Sequence, residues 1–271
     1  LPELPEVETT RRGLQPHLEN QAIHAVIVRH PKLRWPVPIQ LATLLPGKRI
    51  LSIQRRGKYL LFDTEAGYLL LHLGMSGSLR IVPAITPPGP HDHFDLVLAN
   101  GLAMRLRDPR RFGAVLWAGS DPFAHPLLAG LGMEPMTAAF TAEQFFRATR
   151  NRSAPIKQVL MDSHLVVGVG NIYANEALFA AGINPKTQAK RLSLARTQRL
   201  LEAVNATLAR AIRAGGSSLR DFVKADGEPG YFQLDYAVYG RANGPCRHCG
   251  QPIKHIRQGQ RATFYCAVCQ K

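Results

Sequence analysis

Phe94-Asp95-Leu96-Val97-Leu98-Ala99-Asn100-Gly101-Leu102-Ala103-Met104-Arg105-Leu106-Arg107 decides how the first half of the chain folds. Apolar side chains alternate in both arms, at Phe94, Leu96 and Leu98 and again at Leu102, Met104 and Leu106. A period of two marks a strand with one buried face. Asn100-Gly101 between the arms tolerates the two positive φ angles of a type I′ turn, so a β-hairpin is expected. Outward from it, 50–54, 59–63, 68–72 and 113–118 read as further short strands, broken at Gly57 and Gly67, and the four prolines of 83–90 as a loop. Short antiparallel strands at this spacing suggest a sandwich or a barrel. Before them, a short helix is expected from Pro5 to about Leu14, with Pro5 at its first position.

The pattern changes across 119–138, a Pro- and Gly-rich stretch that reads as a linker. Beyond it the apolar period is helical. Thr141-Ala142-Glu143-Gln144 has the form of a capping box before Phe145 and Phe146. Pro155 opens a helix to about Asp162, and 171–181 forms another that stops at Gly182. A long helix runs from Ser193 to near Gly215-Gly216, followed by irregular chain to about Tyr239. No internal repeat is present.

Composition narrows the function. The 271 residues are 45% hydrophobic and 20% charged, which excludes disorder as the main state. No run approaches the ~18 apolar residues of a membrane span. The acidic, proline-rich start is unlike a secretory signal, so a cytoplasmic location is expected. Lys and Arg number 34 against 19 Asp and Glu, a net charge of +15. Such an excess adds self-repulsion to the compact state and points to a polyanionic partner. A lipid surface fits less well, because no long basic amphipathic helix with an aromatic face is visible. From Arg241 to Lys271 there are six Lys and Arg and no acidic residue.

All four cysteines lie in that tail, as Cys246-x-x-Cys249 and Cys266-x-x-Cys269. Two such pairs in a reducing compartment read as a tetrahedral four-thiolate zinc site rather than two disulfides or a redox pair. Four thiolates leave no open position for water, so the metal is structural. It would hold together a segment too small for its own core, with an apparent binding energy of ~10–16 kcal/mol.

The first residues suggest chemistry. As a free N-terminus, Pro2 is a secondary amine that can form an iminium with an electrophilic carbon. An α-amino group titrates near ~7.7–8.0, well below lysine, so much of it is unprotonated at neutral pH. Glu3 beside it suits a general acid or base. The sequence carries Leu1 ahead of Pro2. With Leu1 attached, the Pro2 nitrogen is a tertiary amide and this chemistry stops. Two explanations of the letter stay open: a rare start codon read literally as Leu, or an engineered block.

Longer strings extend this reading. Pro2-Glu3-Leu4-Pro5-Glu6-Val7-Glu8, Arg56-Gly57-Lys58-Tyr59, His72-Leu73-Gly74-Met75-Ser76-Gly77-Ser78-Leu79-Arg80, His91-Asp92-His93, Asp108-Pro109-Arg110-Arg111-Phe112-Gly113, Val167-Gly168-Val169-Gly170-Asn171-Ile172-Tyr173 and Gln260-Arg261-Ala262-Thr263-Phe264-Tyr265-Cys266 follow one another in order. In these strings the chain resembles the bacterial formamidopyrimidine-DNA glycosylase family, from Pro2 to Lys271. The resemblance implies an α+β fold: an N-terminal antiparallel β-sandwich catalytic domain over 1–133, a helical helix–two-turn–helix domain with a lesion-capping loop over 134–236, and a four-cysteine zinc hairpin over 237–271.

It also implies an activity, a base-excision DNA glycosylase and AP lyase that removes oxidised purines such as 8-oxoguanine and formamidopyrimidines. Pro2 would attack C1′ and leave a Schiff base, and Glu3 would assist base loss and ring opening. Lys58 would serve β-elimination and Arg261 δ-elimination. Met75, Arg110 and Phe112 would fill the space of a flipped nucleotide, whose extrusion costs a few kcal/mol. By spacing alone Met75 and Phe112 would be core residues, but Gly74, Gly77 and Pro109 suggest exposed turns. His91, Arg110, Arg152, Lys157 and Asn171 would hold the DNA backbone. The residues from about 217 to 239 would cover the flipped base. The implied cofactor is one structural Zn2+ held by Cys246, Cys249, Cys266 and Cys269, with no organic cofactor. The implied partner is double-stranded DNA carrying oxidised purines or abasic sites. A monomer, no membrane and a nucleoid-associated cytoplasmic location complete the expectation. Two rivals remain: an endonuclease VIII-like glycosylase for oxidised pyrimidines, and a non-catalytic DNA-binding zinc protein if Leu1 is retained.

Overall fold

The computed structural model describes residues 2–215 and 235–271. Leu1 and most of the expected lesion-capping segment lie outside the described residues. Two compact units are present, one built on the chain up to Ala129 and the other on Gly130–Arg213 with residues 235–271.

The first unit opens with α1 (Leu4–Leu18), followed by β1 (Ile23–Val28) and a one-turn helix α2 (Leu41–Leu44). Next come β2 (Ile50–Arg56), β3 (Tyr59–Thr64), β4 (Gly67–His72), β5 (Ser78–Pro83), β6 (Asp92–Leu98), β7 (Leu102–Arg107) and β8 (Ala114–Gly119), then a short α3 (Pro126–Ala129). The strands form two four-stranded antiparallel sheets, ordered β1-β6-β7-β5 and β2-β3-β4-β8. Both sheets contribute to one core. Phe94, Leu96, Leu98, Met104 and Leu106 come from one, and Ile53, Leu60, Phe62, Leu69, Leu71 and Val115 from the other. The architecture is therefore a sandwich. The expected hairpin joins β6 to β7, but not through a type I′ turn: Asn100 is not at positive φ, and the Gly101 amide donates to the Leu98 carbonyl at 3.2 Å, so Ala99 and Asn100 are the central residues and Gly101 alone takes the left-handed position, at φ +83.

Three features differ from the expectation. The strands β1 and β5 add to those expected; buried and exposed residues do not alternate cleanly in either, which leaves a weak sequence pattern. Pro83 ends β5, a place where its missing N–H costs least. Helix α1 continues past Leu14 and through Pro16 to Leu18, because Leu14 and Leu18 are both fully buried. Core packing outweighs proline's helix penalty there. The polar face of β6 is buried as well. Asp95 accepts two hydrogen bonds from Arg105 across the sheet, at 2.9 and 2.8 Å, and one from Arg29 at 2.6 Å.

The second unit contains α4 (Ala142–Thr149), α5 (Ile156–Leu160), α6 (Asn171–Ala180), α7 (Leu194–Arg213) and a hairpin of β9 (Lys254–Gln258) and β10 (Arg261–Tyr265). Thr141 caps α4 by accepting from the Gln144 amide at 3.3 Å. Helix α6 packs against both α7 and β10.

In the first unit, α1 is fastened to β2 through Glu8. Its carboxylate accepts from Arg11 and Arg12 on its own helix and from Arg55 on β2, at 2.8–3.1 Å. Burial alone would raise the Glu8 carboxyl. The hydrogen bonds from Arg11 and Arg12 and the charges of Arg11 and Arg55 outweigh it and hold the group at about 2. A depressed folded value means the stabilisation is present above the ordinary value of 4.5 and is lost as pH falls toward 2. Glu8→Gln is therefore expected to lower unfolding free energy by roughly 2 kcal/mol at pH 7. Urea unfolding at pH 7 and at pH 3 should show the gap between variant and parent shrinking. A gap independent of pH would mean that the Glu8 charge is not its source.

Candidate active site and nucleic-acid interface

Pro2 is buried and leads directly into α1. Glu3 is the N-cap of that helix, 2% exposed and with extended backbone. Glu3 and Glu6 cap one another: the Glu3 carboxylate accepts from the Glu6 amide, and the Glu3 amide donates to Glu6 Oε2 at 2.9 Å. The positive end of the helix faces these carboxylates.

Lys58 lies in the two-residue turn between β2 and β3, opposite Gly57 at φ +58, and is half-buried. The Glu8 fastening reaches this turn, since Arg55 also donates to the Gly57 carbonyl at 3.0 Å. The helix that follows Pro2 and Glu3 and the turn that carries Lys58 are thus tied by one guanidinium. His72, at the end of β4, pairs across the sheet with Tyr59. Its imidazole is driven down to about 4 by burial and by the charges of Lys58 and Arg34.

Two loops stand beside this region. One holds Gly74, Met75, Ser76 and Gly77, and the other runs from Asp108 to Gly113. They press together so closely that a Cβ on Gly74 would meet Phe112 carbonyl carbon at 2.4 Å; the first loop is also tight in itself, since a Cβ on Gly77 would meet Leu73 oxygen at 2.2 Å. Met75 is half-buried, whereas Arg110 and Phe112 are exposed, Phe112 at 45%. The Arg110 guanidinium lies over the Phe112 ring, 5.0 Å from its centre. His91 is half-buried beside His93, and Arg111 donates to His30 Nε2 at 2.7 Å.

In the second unit Asn171 opens α6 after Gly168 at φ +91 and the N-cap Gly170. Arg152 pairs with Asp162 at 2.8 Å. Lys157 does not face outward as a phosphate contact would. It sits on the packed side of α5, 1% exposed, and its ammonium donates to the Ala262 carbonyl at 2.9 Å and to Thr263 Oγ1 at 2.7 Å. Arg261 is exposed at the start of β10, next to a turn in which Gly259 and Gln260 both have positive φ.

The four cysteine sulfurs lie within 4.8 Å of one another. Cys246 and Cys269 are 3.9 Å apart and Cys249 and Cys266 3.5 Å. A tetrahedron of four Zn–S bonds of ~2.3 Å needs sulfurs about 3.8 Å apart, so the set fits zinc without rearrangement.

Family models match along the chain. Residues 1–115 match the formamidopyrimidine-DNA glycosylase N-terminal domain, 131–223 the formamidopyrimidine-DNA glycosylase H2TH domain, and 244–271 a zinc finger found in FPG and IleRS. A formamidopyrimidine-DNA glycosylase of Methylobacillus flagellatus is 58% identical over 271 residues, covering all of this chain and 97% of the relative. The chain belongs to the formamidopyrimidine-DNA glycosylase family. Among solved structures, the MutM (Fpg) protein of Thermus thermophilus superposes with a TM-score of 0.88 at 41% identity, covering 99% of this chain and 98% of that one. The Lactococcus lactis Fpg, in complex with DNA containing an abasic site, superposes at 0.91 with 34% identity and full coverage of both chains.

The zinc of this glycosylase family member is structural. Cys246 and Cys266 are buried with Val238, Ile253, Phe264 and Phe179, so the metal closes a small apolar cluster. Polar groups of α6 complete the attachment. Glu176 accepts from the amides of Ala237, Val238 and Tyr239 at 2.7–2.9 Å, and Asn175 accepts from Phe264 N at 2.7 Å. Sequence reading assigned nothing to Glu176 or Asn175, because a polar pair in an otherwise apolar helix looks the same whether it meets water or backbone. It also left Ser76 and Asp108 without a role, although the glycines around them signal close backbone approach.

Cys246→Ser is expected to release the zinc and loosen β9 and β10. Metal content and amide exchange at Ile253 and Phe264 check this. A full equivalent of zinc with unchanged exchange would reject the structural role.

Proposed function

We propose that this chain is a base-excision DNA glycosylase and AP lyase that removes oxidised purines, 8-oxoguanine and formamidopyrimidines, from duplex DNA. The observation that carries the proposal is the pairing of a Pro-Glu start, buried and capped on α1, with the Lys58 turn fastened to the same helix by Arg55. A non-catalytic DNA-binding protein has no use for that arrangement.

In this reading the Pro2 nitrogen forms a bond to C1′ as the bond from C1′ to the base breaks, and the base leaves with that electron pair and takes up a proton. Glu3 takes the proton that the Pro2 nitrogen sheds on forming this bond and returns it to O4′, so the sugar ring opens and an iminium is left between Pro2 and C1′. Lys58 then serves β-elimination of the 3′ phosphate, and Arg261 δ-elimination of the 5′ phosphate. A free amine is required at the first step, because an acylated nitrogen cannot form an iminium. Met75, Arg110 and Phe112 occupy the space left in the stack, with a flexible apolar chain, a donor for the orphaned cytosine and a flat wedge. His91, Arg110, Arg152 and Asn171 hold phosphates. Lys157 serves the same surface indirectly, by holding β10. The glycosylase would work where the chromosome is, at the nucleoid. Among the described residues no helix is long and apolar enough to cross a membrane.

The test uses duplexes with one 8-oxoguanine opposite cytosine, or one 5-hydroxyuracil or thymine glycol. A chain beginning at Pro2 is expected to nick the first and to form a covalent adduct with it under borohydride. The same chain with Leu1 attached is expected to bind without a borohydride adduct at Pro2, any adduct at the primary α-amine of Leu1 being told apart by sequencing the trapped peptide. Pro2→Gly should weaken trapping without abolishing it, since a primary amine still forms an imine. Preference for the pyrimidine lesions would favour the endonuclease VIII-like reading, and binding without nicking by either chain would favour a non-catalytic one. Equal trapping with Leu1 confirmed by mass would remove Pro2 as nucleophile.

A further inference from the structure

Met75 and the pair Arg110 and Phe112 lie on different loops, and neither loop is held by a strand ladder at those positions. Both meet at Asp108, which is wholly buried. Asp108 Oδ1 accepts from the Ser76 hydroxyl at 2.8 Å, and Oδ2 accepts from the Gly113 amide at 2.7 Å. Ser76 Oγ in turn accepts from the Arg110 amide at 3.1 Å. The Asp108 carbonyl faces His93 Nε2 at 3.1 Å, and its amide donates to the His91 carbonyl at 3.0 Å. One carboxylate therefore grips the residue after Met75 and the residue after Phe112, while Ser76 grips Arg110. Gly113 leaves no slack, since a Cβ there would meet Asp108 Oδ2 at 2.9 Å.

We propose that Asp108, acting through Ser76 and Gly113, is a positioning residue that holds Met75, Arg110 and Phe112 in one register, so that they enter the vacated base position together and read the opposite base. This rests on the wedge assignment made above. The carboxylate offers two acceptors to two donors in a dry site. Asparagine offers one, so in Asp108→Asn the amide oxygen keeps Gly113 while the Ser76 hydroxyl loses its acceptor, and that hydroxyl and one asparagine N–H are left as unpaired buried donors, which loosens the hold on the Met75 loop. Asp108 does not touch the reacting atoms, and a single strand with an existing abasic site needs neither extrusion nor an opposite base.

The experiment measures single-turnover cleavage by the zinc-loaded, Pro2-initiated chain on three substrates: duplex 8-oxoguanine opposite cytosine, the same lesion opposite adenine, and a single strand with a preformed abasic site. Asp108→Asn is expected to slow the cytosine duplex about five- to tenfold, the scale of one lost buried hydrogen bond. The cytosine-to-adenine ratio should shrink, and single-strand cleavage should stay within about twofold. Ser76→Ala, which keeps the Gly113 bond, should shift the ratio in the same direction by less, and it decides the matter alone if Asp108→Asn does not fold. Arg110→Ala and Phe112→Ala are run alongside. If those two shift the ratio while Asp108→Asn and Ser76→Ala slow all three substrates equally, the carboxylate is only structural and the inference falls with the wedge intact. If Arg110→Ala and Phe112→Ala leave the ratio unmoved, the wedge assignment fails and takes the inference with it.

Discussion

The reciprocal cap between Glu3 and Glu6 carries more than a helix end. Terminal residues ordinarily fray, because few contacts repay the entropy of ordering them. Pro2 and Glu3 escape that rule, since both are buried. The cap does this by satisfying two otherwise orphaned amides at once and by placing carboxylate charge against the positive end of α1. Because α1 is locked to β2 by Glu8 and Arg55, order at the terminus passes to the sheet that holds Lys58. A capping box built on Glu instead of Ser or Thr also keeps a carboxylate directly beside Pro2.

Three buried carboxylates act as organisers, and each accepts hydrogen bonds at both oxygens. Asp95 takes three guanidinium hydrogen bonds, Asp108 a hydroxyl and an amide, and Glu176 three successive amides. Burying a charge without such partners costs several kcal/mol, so every one of these positions is intolerant of the wrong geometry. Intolerance is what a loop needs when it must present side chains in a fixed place without a strand ladder. It also accounts for a zinc hairpin too small to fold alone yet held in register on α6 by Glu176, Asn175 and the inward ammonium of Lys157.

Legibility in the sequence follows from whether a feature is local. The Thr141 cap, the stop at Gly182 and the paired cysteines are each written within a few residues, and each is found in place; the β6–β7 hairpin is found too, but with only Gly101 of the Asn100-Gly101 pair at positive φ. The strands β1 and β5 escaped because neither alternates buried and exposed residues cleanly; Ile27 and Val28 are adjacent apolar residues that both remain partly exposed. The end of α1 escaped because burial of Leu18 is a tertiary fact that overrides Pro16. Among candidate site residues, types and order were readable, and so was the expectation that Arg110 and Phe112 are exposed. Direction was not. Nothing within a few residues of Lys157 says that its ammonium will end on Thr263, 106 positions away. Nor does the string from Asp108 to Gly113 say that its first member is wholly buried while its centre stands in solvent.

The electrostatics around Lys58 follow from the same packing. His72 stands next to it in a chain already rich in cations, and a charged imidazole there would add another. Burial, with Lys58 and Arg34 nearby, takes the ring down to about 4, so His72 is neutral throughout the physiological range. Neutrality has a structural consequence, because only the neutral ring has a nitrogen that can accept. Nδ1 accepts from the Gly74 amide at 3.0 Å, which places the proton on Nε2. The bond fixes the first residue of the loop that carries Met75, at the glycine whose φ of +63 no branched side chain would adopt without strain. One imidazole thereby keeps a second cation away from the lysine and anchors the beginning of the loop that Asp108 holds at its middle.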